Sequence, residues 1–277
     1  MTFSVNTNTN ALAALETLNL TQQQLTQTQN RVSTGLKVSS AADNASTFAI
    51  AQGQRGDIAG FQAVSDALGE ATAAVNVALQ GATTISNILN ELEAKAVQAQ
   101  DPTSDGNALQ TDVSSLIAQI DSTTAAAQFN GVNLLKTGAT AQTFLSSLNR
   151  TSSTVVSAAF ITVAAEDLSS TTGLSISTIS VSTVANASAA LNTINTAINT
   201  VKTALSKLGT ASNQITTQAN FVTTLTDSLT TGVGDLVDAN LAAESANLQA
   251  LQTKQQLGIQ ALSIANQGPG AVLSLFR

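Results

Sequence analysis

The chain has 277 residues and a net charge of −7, which argues against nucleic-acid binding because too few cations are present to neutralise phosphates. It contains no cysteine and no histidine, so disulfides, Cys- or His-based zinc sites and His-based acid–base pairs are excluded. Charged residues make up only 10% of the chain and aromatic residues 3%. So few charges favour a surface covered by copies of the same chain, and an ordinary helical protein with an uncharged polar surface is the alternative.

The first predicted helix begins near Val5 and carries large apolar residues at Leu18, Leu25 and Val32, seven positions apart. Glutamine and threonine fill much of its remaining surface. Gly35 is expected to cap its end, because glycine adopts left-handed backbone at little cost.

Two further helices are expected before residue 130. The longer one runs from about 45 to 100 and is stopped by Asp101-Pro102, since proline has no N–H to donate and the residue before it avoids helical backbone. The next follows Asp105-Gly106 and ends before Asn130-Gly131, a dipeptide typical of a turn.

Between about 131 and 185 the sequence changes to short runs of β-branched residues, several of which alternate with polar ones. This pattern predicts a small β region. Its strands are expected at 155–156, 160–163, 174–177 and 179–181.

The next helix has the most regular pattern in the chain. Twelve positions alternate steps of three and four residues: Leu191, Ile194, Ile198, Val201, Leu205, Leu208, Ser212, Ile215, Ala219, Val222, Thr226 and Leu229. Such a seam is typical of a helix that packs along its length on other helices. A helix of this length spans roughly 60 Å, which favours a function that depends on shape rather than on an enclosed pocket.

Gly232 and Gly234 are expected to end this helix, and a last helix is expected from about 235 to 265. Farther on, the segment Gly268-Pro269-Gly270 is expected to leave helical backbone, because glycine and proline both disfavour it.

The predicted fold class is mainly α: a long antiparallel helical coiled-coil bundle formed by both chain ends, with a small β-hairpin region in the middle. No apolar run is long enough to span a bilayer. The N-terminus lacks a basic segment followed by an apolar one, so a cleaved signal peptide is not expected. The protein is therefore expected either in the cytoplasm or outside the cell after export by another route.

Short segments near both ends of the chain form a recognisable series. In the N-terminal half they are 5–8 (VNTN), 31–38 (RVSTGLKV), 42–45 (ADNA), 49–51 (AIA), 96–99 (AVQA) and 129–135 (FNGVNLL). In the C-terminal part they are 238–244 (DANLAAE), 265–267 (ANQ) and 272–277 (VLSLFR). Each segment is short, but together they resemble bacterial flagellin, in the order and at the spacing of that family over most of the chain.

The resemblance implies an inner terminal helical domain with its linker at 1–44 and 231–277. It implies an outer helical bundle domain at 45–130 and 186–230, and a short β-rich variable region at 131–185. The short middle region is similar to that of the smaller, alphaproteobacterial flagellins.

The function that this resemblance implies is structural: a secreted subunit that self-assembles into the extracellular filament of the bacterial flagellum for swimming motility. A head-to-tail contact that does not close produces such an open helical polymer. The implied partners are other copies of the chain, the flagellar type III export apparatus, an export chaperone, and the junction and cap proteins. No enzyme activity, cofactor, metal, nucleic acid or membrane insertion is implied.

Two rival functions remain. The first is a hook–filament junction protein, which has flagellin-like ends but polymerises less readily alone. The second is a secreted coiled-coil binding module, which would be a stable monomer with folded ends.

The terminal segments 5–33 and 235–265 are expected to be disordered in the free subunit, because isolated polar helices of about 30 residues are marginal in water. They would then fold on assembly. The candidate assembly residues in the seams of these segments are Leu18, Leu25, Val32, Leu241, Leu248 and Leu262. Leu273 and Phe276, in the tail that follows, are further candidates as anchors of the last turn, and a disordered tail is the alternative. Aspartate in place of Leu248 is expected to block polymerisation, because its charge would be buried without a partner.

Residues 91–95 (ELEAK) lie where many flagellins resemble Arg-x-Arg-Glu-Leu, a face that the Toll-like receptor for flagellin reads. Two negative charges, Glu91 and Glu93, replace the positive ones here, and Ala94 and Lys95 follow. We hypothesise that the protein escapes this receptor. An altered contact with a neighbouring subunit is a compatible alternative.

The stretch 137–183 is dense in serine and threonine and is expected on the filament exterior. The resemblance makes its hydroxyl groups candidates for O-linked glycans, as in several flagellins. The alternative is that serine and threonine are simply common in loops and at strand edges.

Overall fold

The computed structural model describes residues 7–150 and 156–274, with side chains up to residue 267. Within these residues, three helices come first, two small antiparallel sheets, β1–β2 and β3–β4, follow, and two helices end the order. In chain order the elements are α1 Thr9–Thr34, α2 Ala45–Gln98, α3 Gly106–Ala126, β1 Gln128–Phe129, β2 Val132–Asn133, β3 Gln142–Arg150, β4 Val156–Val163, α4 Val184–Val237 and α5 Leu241–Ser274. The predicted mainly α fold with a small hairpin region is confirmed.

The chain divides into two compact units. Unit 1 comprises Met1–Asp57 and Ser228–Arg277, and unit 2 comprises Ile58–Asp227. Unit 1 contains α1 and α5, which pack against each other. The expected pairing of the two chain ends is thus confirmed.

The ends of α1 and the start of α3 follow from capping residues. Asn8 precedes α1, and its side-chain oxygen accepts a hydrogen bond from the Ala11 N–H at 3.1 Å. Gly35 ends α1 with a φ of 73°, and its N–H donates to the Arg31 carbonyl at 2.9 Å, as predicted. Asp105 caps α3 by accepting from two N–H groups of the first turn. The predicted start of the first helix near Val5 lies outside the described residues.

The core of unit 2 lies along its helices. All twelve positions of the predicted α4 seam are buried or half-buried, which confirms the three-and-four pattern. The largest fully buried side chains all belong to unit 2: Leu68, Ile85, Leu89, Leu92, Ile120, Leu134, Leu135, Leu168, Ile176, Ile194, Leu208 and Ile215.

Two predicted helix ends were wrong. α4 does not stop at Gly232 and Gly234 but continues to Val237, and α5 starts at Leu241. α5 also runs through the Gly-Pro-Gly segment at 268–270 to its end at residue 274. The fixed φ of proline is itself close to helical, so a helix that is already propagating loses one hydrogen bond there without having to end.

Two of the predicted strands were also wrong. β4 contains 160–163 and Val156, whereas Val155 lies outside the described residues. The segments 174–177 and 179–181 form no strand. Gln110 on α3 accepts from the Val181 N–H at 2.7 Å and donates to the Ile179 carbonyl at 3.3 Å. A helix side chain therefore binds backbone groups that a strand would use in a ladder.

Candidate assembly surface

α1 and α5 meet along a seam in which buried or half-buried positions again step by three and four. The α1 positions are Ala11, Ala14, Leu18, Thr21, Leu25, Thr28 and Val32, and the α5 positions are Glu244, Leu248, Leu251, Gln255, Gly258, Leu262 and Ala265. This spacing keeps one stripe of each helix facing the other.

Contacts along the seam show that the two helices run antiparallel, because the residue numbers of the α5 partners fall as those of the α1 residues rise. In this order the contacts join Asn8 to Ala265, Leu18 to Gly258, Gln22 to Gln255, and Arg31 to Glu244. The Asn8 amide donates to the Ala265 carbonyl at 2.7 Å, and Arg31 Nη1 lies 3.2 Å from Glu244 Oε1.

The seam is only partly apolar. Thr21 and Thr28 are as well buried as Leu25, which lies between them, and the Thr21 hydroxyl donates to the Thr17 carbonyl at 2.8 Å. A hydroxyl that is already hydrogen-bonded can be buried without a large desolvation cost. The helices therefore pack closely while burying little apolar area.

Most of the predicted assembly residues lie in this seam, within one chain. The five found there are Leu18, Leu25, Val32, Leu248 and Leu262. Leu241 is instead 50% exposed at the start of α5. Leu273 lies in the helical backbone of α5, but its side chain and the whole of Phe276 lie outside the described part of the chain.

A second set of large apolar residues in unit 1 is exposed. Fourteen large hydrophobic side chains are exposed in the described part of the chain, and eight of them belong to unit 1: Leu12, Leu15, Leu20, Ile50, Leu241, Leu257, Ile259 and Ile264. Leu257 and Ile264, which are seven residues apart in α5, are 58% and 70% exposed. Apart from Leu241, these residues were not predicted, because they fall outside the predicted seams. The signal that could have found them is the row of Ala243, Ala250, Leu257 and Ile264 at intervals of seven.

A polar cleft of about 460 Å³ opens beside α1, lined by Gln22, Asn30, Arg31, Ser40 and Asp43 among others. The Ser39 hydroxyl and the backbone N–H groups of Ser39 and Ser40 donate to Asp43, and these hydrogen bonds lower the pKa of that carboxyl. The link after α1 is thereby held in a tight, charged turn.

The segment 91–95, for which a charge change relative to flagellins was predicted, lies near the end of α2, in unit 2. Glu91 and Ala94 are exposed, and Glu93 is half-buried. Lys95 Nζ lies 2.6 Å from Asp112 Oδ2 of α3, so this cation is paired within the chain.

Hydroxyl groups join the two ends of the β region in unit 2. The Thr137 hydroxyl donates to the Ser169 hydroxyl at 2.7 Å, and Ser169 donates to Asp167 Oδ1 at 2.7 Å. Burial raises the pKa of Asp167, but hydrogen bonds from Thr172 and Ser169 outweigh it and hold the pKa below its ordinary value. These hydroxyls are engaged in the fold rather than free at the surface.

Among residues 7–150 and 156–274, no helix is apolar enough over a sufficient length to cross a bilayer. The same residues hold no cluster of three or more carboxylate side chains placed to share a metal ion. The most distinctive surface in this part of the chain is therefore the exposed apolar set of unit 1. Paired chain ends that leave large apolar side chains uncovered define a helical structural protein that associates with other copies.

Comparison with known proteins names the family. Residues 5–143 match the bacterial flagellin N-terminal helical region, and residues 191–276 match the bacterial flagellin C-terminal helical region. The chain is 43% identical to flagellin FljK of Caulobacter vibrioides, over 99% of this chain and 98% of that one. It is 40% identical to a flagellin of Brucella melitensis, over 99% of both chains. The chain belongs to the bacterial flagellin family.

A crystal structure of Bacillus cereus flagellin is a more distant likeness, with 22% identity and a TM-score of 0.48 over 55% of this chain and 86% of that one. As a flagellin, the chain is a structural subunit of the extracellular flagellar filament and not an enzyme. The full-length similarity to flagellins does not favour the junction protein.

Proposed function

We propose that copies of this chain join into the filament through the exposed apolar residues of α1 and α5. The supporting observation is the exposure of Leu257, Ile259 and Ile264, each more than half accessible although large and apolar. Eight of the fourteen exposed large hydrophobic side chains in the described part of the chain belong to unit 1. Such a concentration of apolar side chains marks an interaction site, and its removal from water drives association. The α1–α5 seam prepares this surface by holding the two helices together.

The two units would then differ in their position in the filament. We assign the inner terminal domain to 1–44 and 231–277, the outer helical domain to 45–130 and 186–230, and the exterior variable region to 131–185. The exposed apolar residues of unit 1 support the inner assignment, because neighbouring copies surround an inner element most completely.

Seeded polymerisation tests the proposed surface. Purified protein is mixed with short filament fragments in ammonium sulfate, which strengthens apolar burial, and the products are viewed by negative-stain electron microscopy. The parent chain is expected to form long uniform filaments, and Leu257→Asp is expected to remain monomeric. Gln256→Asp, which places the same charge on an exposed neighbour in α5, is the matched control. Normal filaments from Leu257→Asp would show that the row containing Leu257 and Ile264 does not belong to the interface.

Leu248→Asp tests the seam separately. It is also expected to block polymerisation, since its carboxylate would enter the partly buried stripe that faces α1. The two variants are distinguished by circular dichroism under assembly conditions. Leu248→Asp is expected to lower the helix content below that of the unassembled parent because α1 and α5 separate, whereas Leu257→Asp should match the unassembled parent.

We further propose export through the flagellar type III apparatus, aided by a chaperone, with contacts to the junction and cap proteins after secretion. The sparse apolar burial between α1 and α5 supports this route, because weakly held ends unfold at little cost for passage through a narrow channel. Inactivation of the export apparatus in a flagellated host is expected to retain the chain inside the cells. Undiminished secretion would contradict the proposal.

We also propose that the chain escapes the Toll-like receptor for flagellin. The exposed carboxylate of Glu91 and the pairing of Lys95 with Asp112 give this face the opposite charge to the motif in other flagellins. Reporter cells are expected to stay silent at nanomolar protein. The combined variant Glu91→Arg, Glu93→Arg, Ala94→Glu and Lys95→Leu is expected to restore a signal, and activation by the unaltered chain would refute the proposal.

O-linked modification is proposed for exposed hydroxyls of the variable region, such as Thr143, Thr162 and Thr171. Buried Ser146 and Ser170 are unsuitable, since attached sugars need solvent. The intact mass of protein from its native filaments tests this. A mass equal to that of the 28.0 kDa sequence would exclude modification.

A further inference from the structure

The link after α1 and the link before α5 are joined by backbone hydrogen bonds. Leu36 and Asp238 form an isolated antiparallel bridge. The Ala239 N–H donates to the Gly35 carbonyl at 2.8 Å, and the Lys37 N–H donates to the carbonyl of Val237, the last residue of α4, at 2.6 Å. The residues that follow α1 and precede α5 are therefore held side by side.

One ion pair lies in the adjacent turn of each helix. Arg31 belongs to the last turn of α1 and Glu244 to the first turn of α5, and their side chains are 30% and 13% exposed. Each charge also suits its own helix end, because a cation is favoured at a helix C-terminus and an anion at an N-terminus. Arg31 Nε is buried and has no hydrogen-bond partner. The charge of Arg31 is therefore neutralised through Nη1, which donates to Glu244 Oε1.

The spacing of the seam alone does not fix its register. Its positions recur every seven residues, so a slip of one heptad moves α5 by about 10 Å and keeps the same stripe of α5 facing α1. In one direction the slip puts Gly258 in the place of Leu251 and Ala265 in the place of Gly258, where an added Cβ lies 3.2 Å from the Leu18 side chain. Packing therefore disfavours the slip through a lost leucine contact and one close approach to a flexible side chain, and polar contacts add to that preference.

We propose that the Leu36–Asp238 bridge and the Arg31–Glu244 ion pair together form a register clamp, which fixes the residues of α1 that face each residue of α5. A one-heptad slip would break the bridge and leave the mostly buried Glu244 without its cation. Removing the partner of a buried charge is strongly unfavourable, and a single polar contact in an otherwise repetitive seam is a known means of fixing register.

The absence of cysteine allows the register to be read directly. Leu18 Cβ lies 3.9 Å from the position of a Cβ added at Gly258, which suits a disulfide. The full-length chain with Leu18→Cys and Gly258→Cys reports the native register, and Leu18→Cys with Ala265→Cys reports the slipped one. Both are equilibrated in a thiol–disulfide buffer with ammonium sulfate, and the intramolecular disulfide is quantified by mass spectrometry of the monomer.

With the clamp intact, the native disulfide is expected to exceed the slipped one. Glu244→Gln combined with Ala239→Pro, which removes the charge and one bridge donor, is expected to lower this preference roughly tenfold. Glu16→Gln, a neutralisation at an exposed site of α1, is the matched control and should leave the ratio unchanged. The exchange Arg31→Glu with Glu244→Arg should restore part of the preference lost in either single substitution, because the ion pair re-forms although each charge then opposes its own helix end.

Equal amounts of the two disulfides in the unaltered background would overturn the clamp. A native preference that is undiminished in the variant with Glu244→Gln and Ala239→Pro would also overturn it. The ratio is measured within single chains, so it does not depend on filament formation. Electron microscopy of the same samples shows separately whether they polymerise, and failure there counts against the assembly surface alone.

Discussion

The α1–α5 pair and unit 2 bury their apolar residues to very different degrees. Every one of the twelve largest fully buried side chains lies in unit 2. The most buried large side chains of the pair are Leu25 and Leu251, at 5% and 9% exposure. Unit 2 is thus built to be stable within one chain, whereas the terminal helices leave several large apolar side chains exposed.

The composition of the seams explains the difference. The α4 seam consists mainly of leucine, isoleucine and valine, which fill a core at native density. Threonine, alanine, glutamine and glycine occupy many positions between α1 and α5. These residues allow close packing but contribute less transfer free energy, so stability of the pair depends on neighbours in the filament.

Hydrogen exchange of the free subunit should separate the two regions most clearly. We expect amides of α1 and α5 to exchange at least roughly a thousandfold faster than buried amides of α2 and α4 in unit 2, because the terminal pair opens without disturbing a large core. Assembly should slow exchange in the terminal helices. Equal protection in both regions of the monomer would show that the ends are already folded.

Leu89→Ala should produce the largest loss of stability among single substitutions in unit 2. Leu89 is fully buried, so its truncation leaves a cavity and is expected to lower the free energy of unfolding by about 2–5 kcal/mol. Leu20→Ala in α1 removes the same atoms from a residue that is 54% exposed. That control should change the urea midpoint little, and similar losses in both variants would contradict the comparison.

Ser170→Ala tests the polar contacts that replace strand pairing in unit 2. The Ser170 hydroxyl donates to Asp121 Oδ2 at 2.7 Å, and the substitution leaves that oxygen without this donor. A loss of about 1–3 kcal/mol is expected in urea unfolding, since the acceptor is charged. Ser177→Ala, at an exposed position, is the control. A loss no larger than that of the control would mean that solvent replaces the bond.

Acid pH should produce the smallest change in stability, and this change is also expected in unit 2. The pKa of Asp167 is below its ordinary value, so its contribution to stability is complete above about pH 5 and is lost as pH falls through the folded-state pKa. Asp167→Asn should therefore be less stable than the parent at neutral pH, and the gap should narrow in acid. A gap that stays constant between neutral and acid pH would show that the carboxylate charge is not involved.

Regular patterns were sufficient to predict the long helices, and caps predicted several of their ends. The α4 seam, Gly35 and Asp105 were all interpreted correctly, because each depends on neighbouring residues alone. The seam of α1 was partly visible in Leu18 and Leu25, but its threonine positions were not.

The errors arose where distant contacts decide the local structure. The β-branched residues near Ile179 predicted a strand, but Gln110, far away in the sequence, binds their backbone instead. To predict the exposed row that includes Leu257, one would have to know which face of α5 packs against α1. Gly234 predicted a helix end, but α4 continues through it. A Cβ added at Gly234 would lie 2.9 Å from Asp238 Oδ2.

The β3–β4 ladder has a consequence for how the chain tolerates added sequence. Its last pair joins Arg150 to Val156, so the polypeptide leaves and re-enters the hairpin at neighbouring points. A peptide grafted between these residues would begin and end at one place, and the entropy of closing a longer loop rises only slowly with length. A foreign peptide could therefore be inserted at this position without separating β3 from β4 or altering α1 and α5.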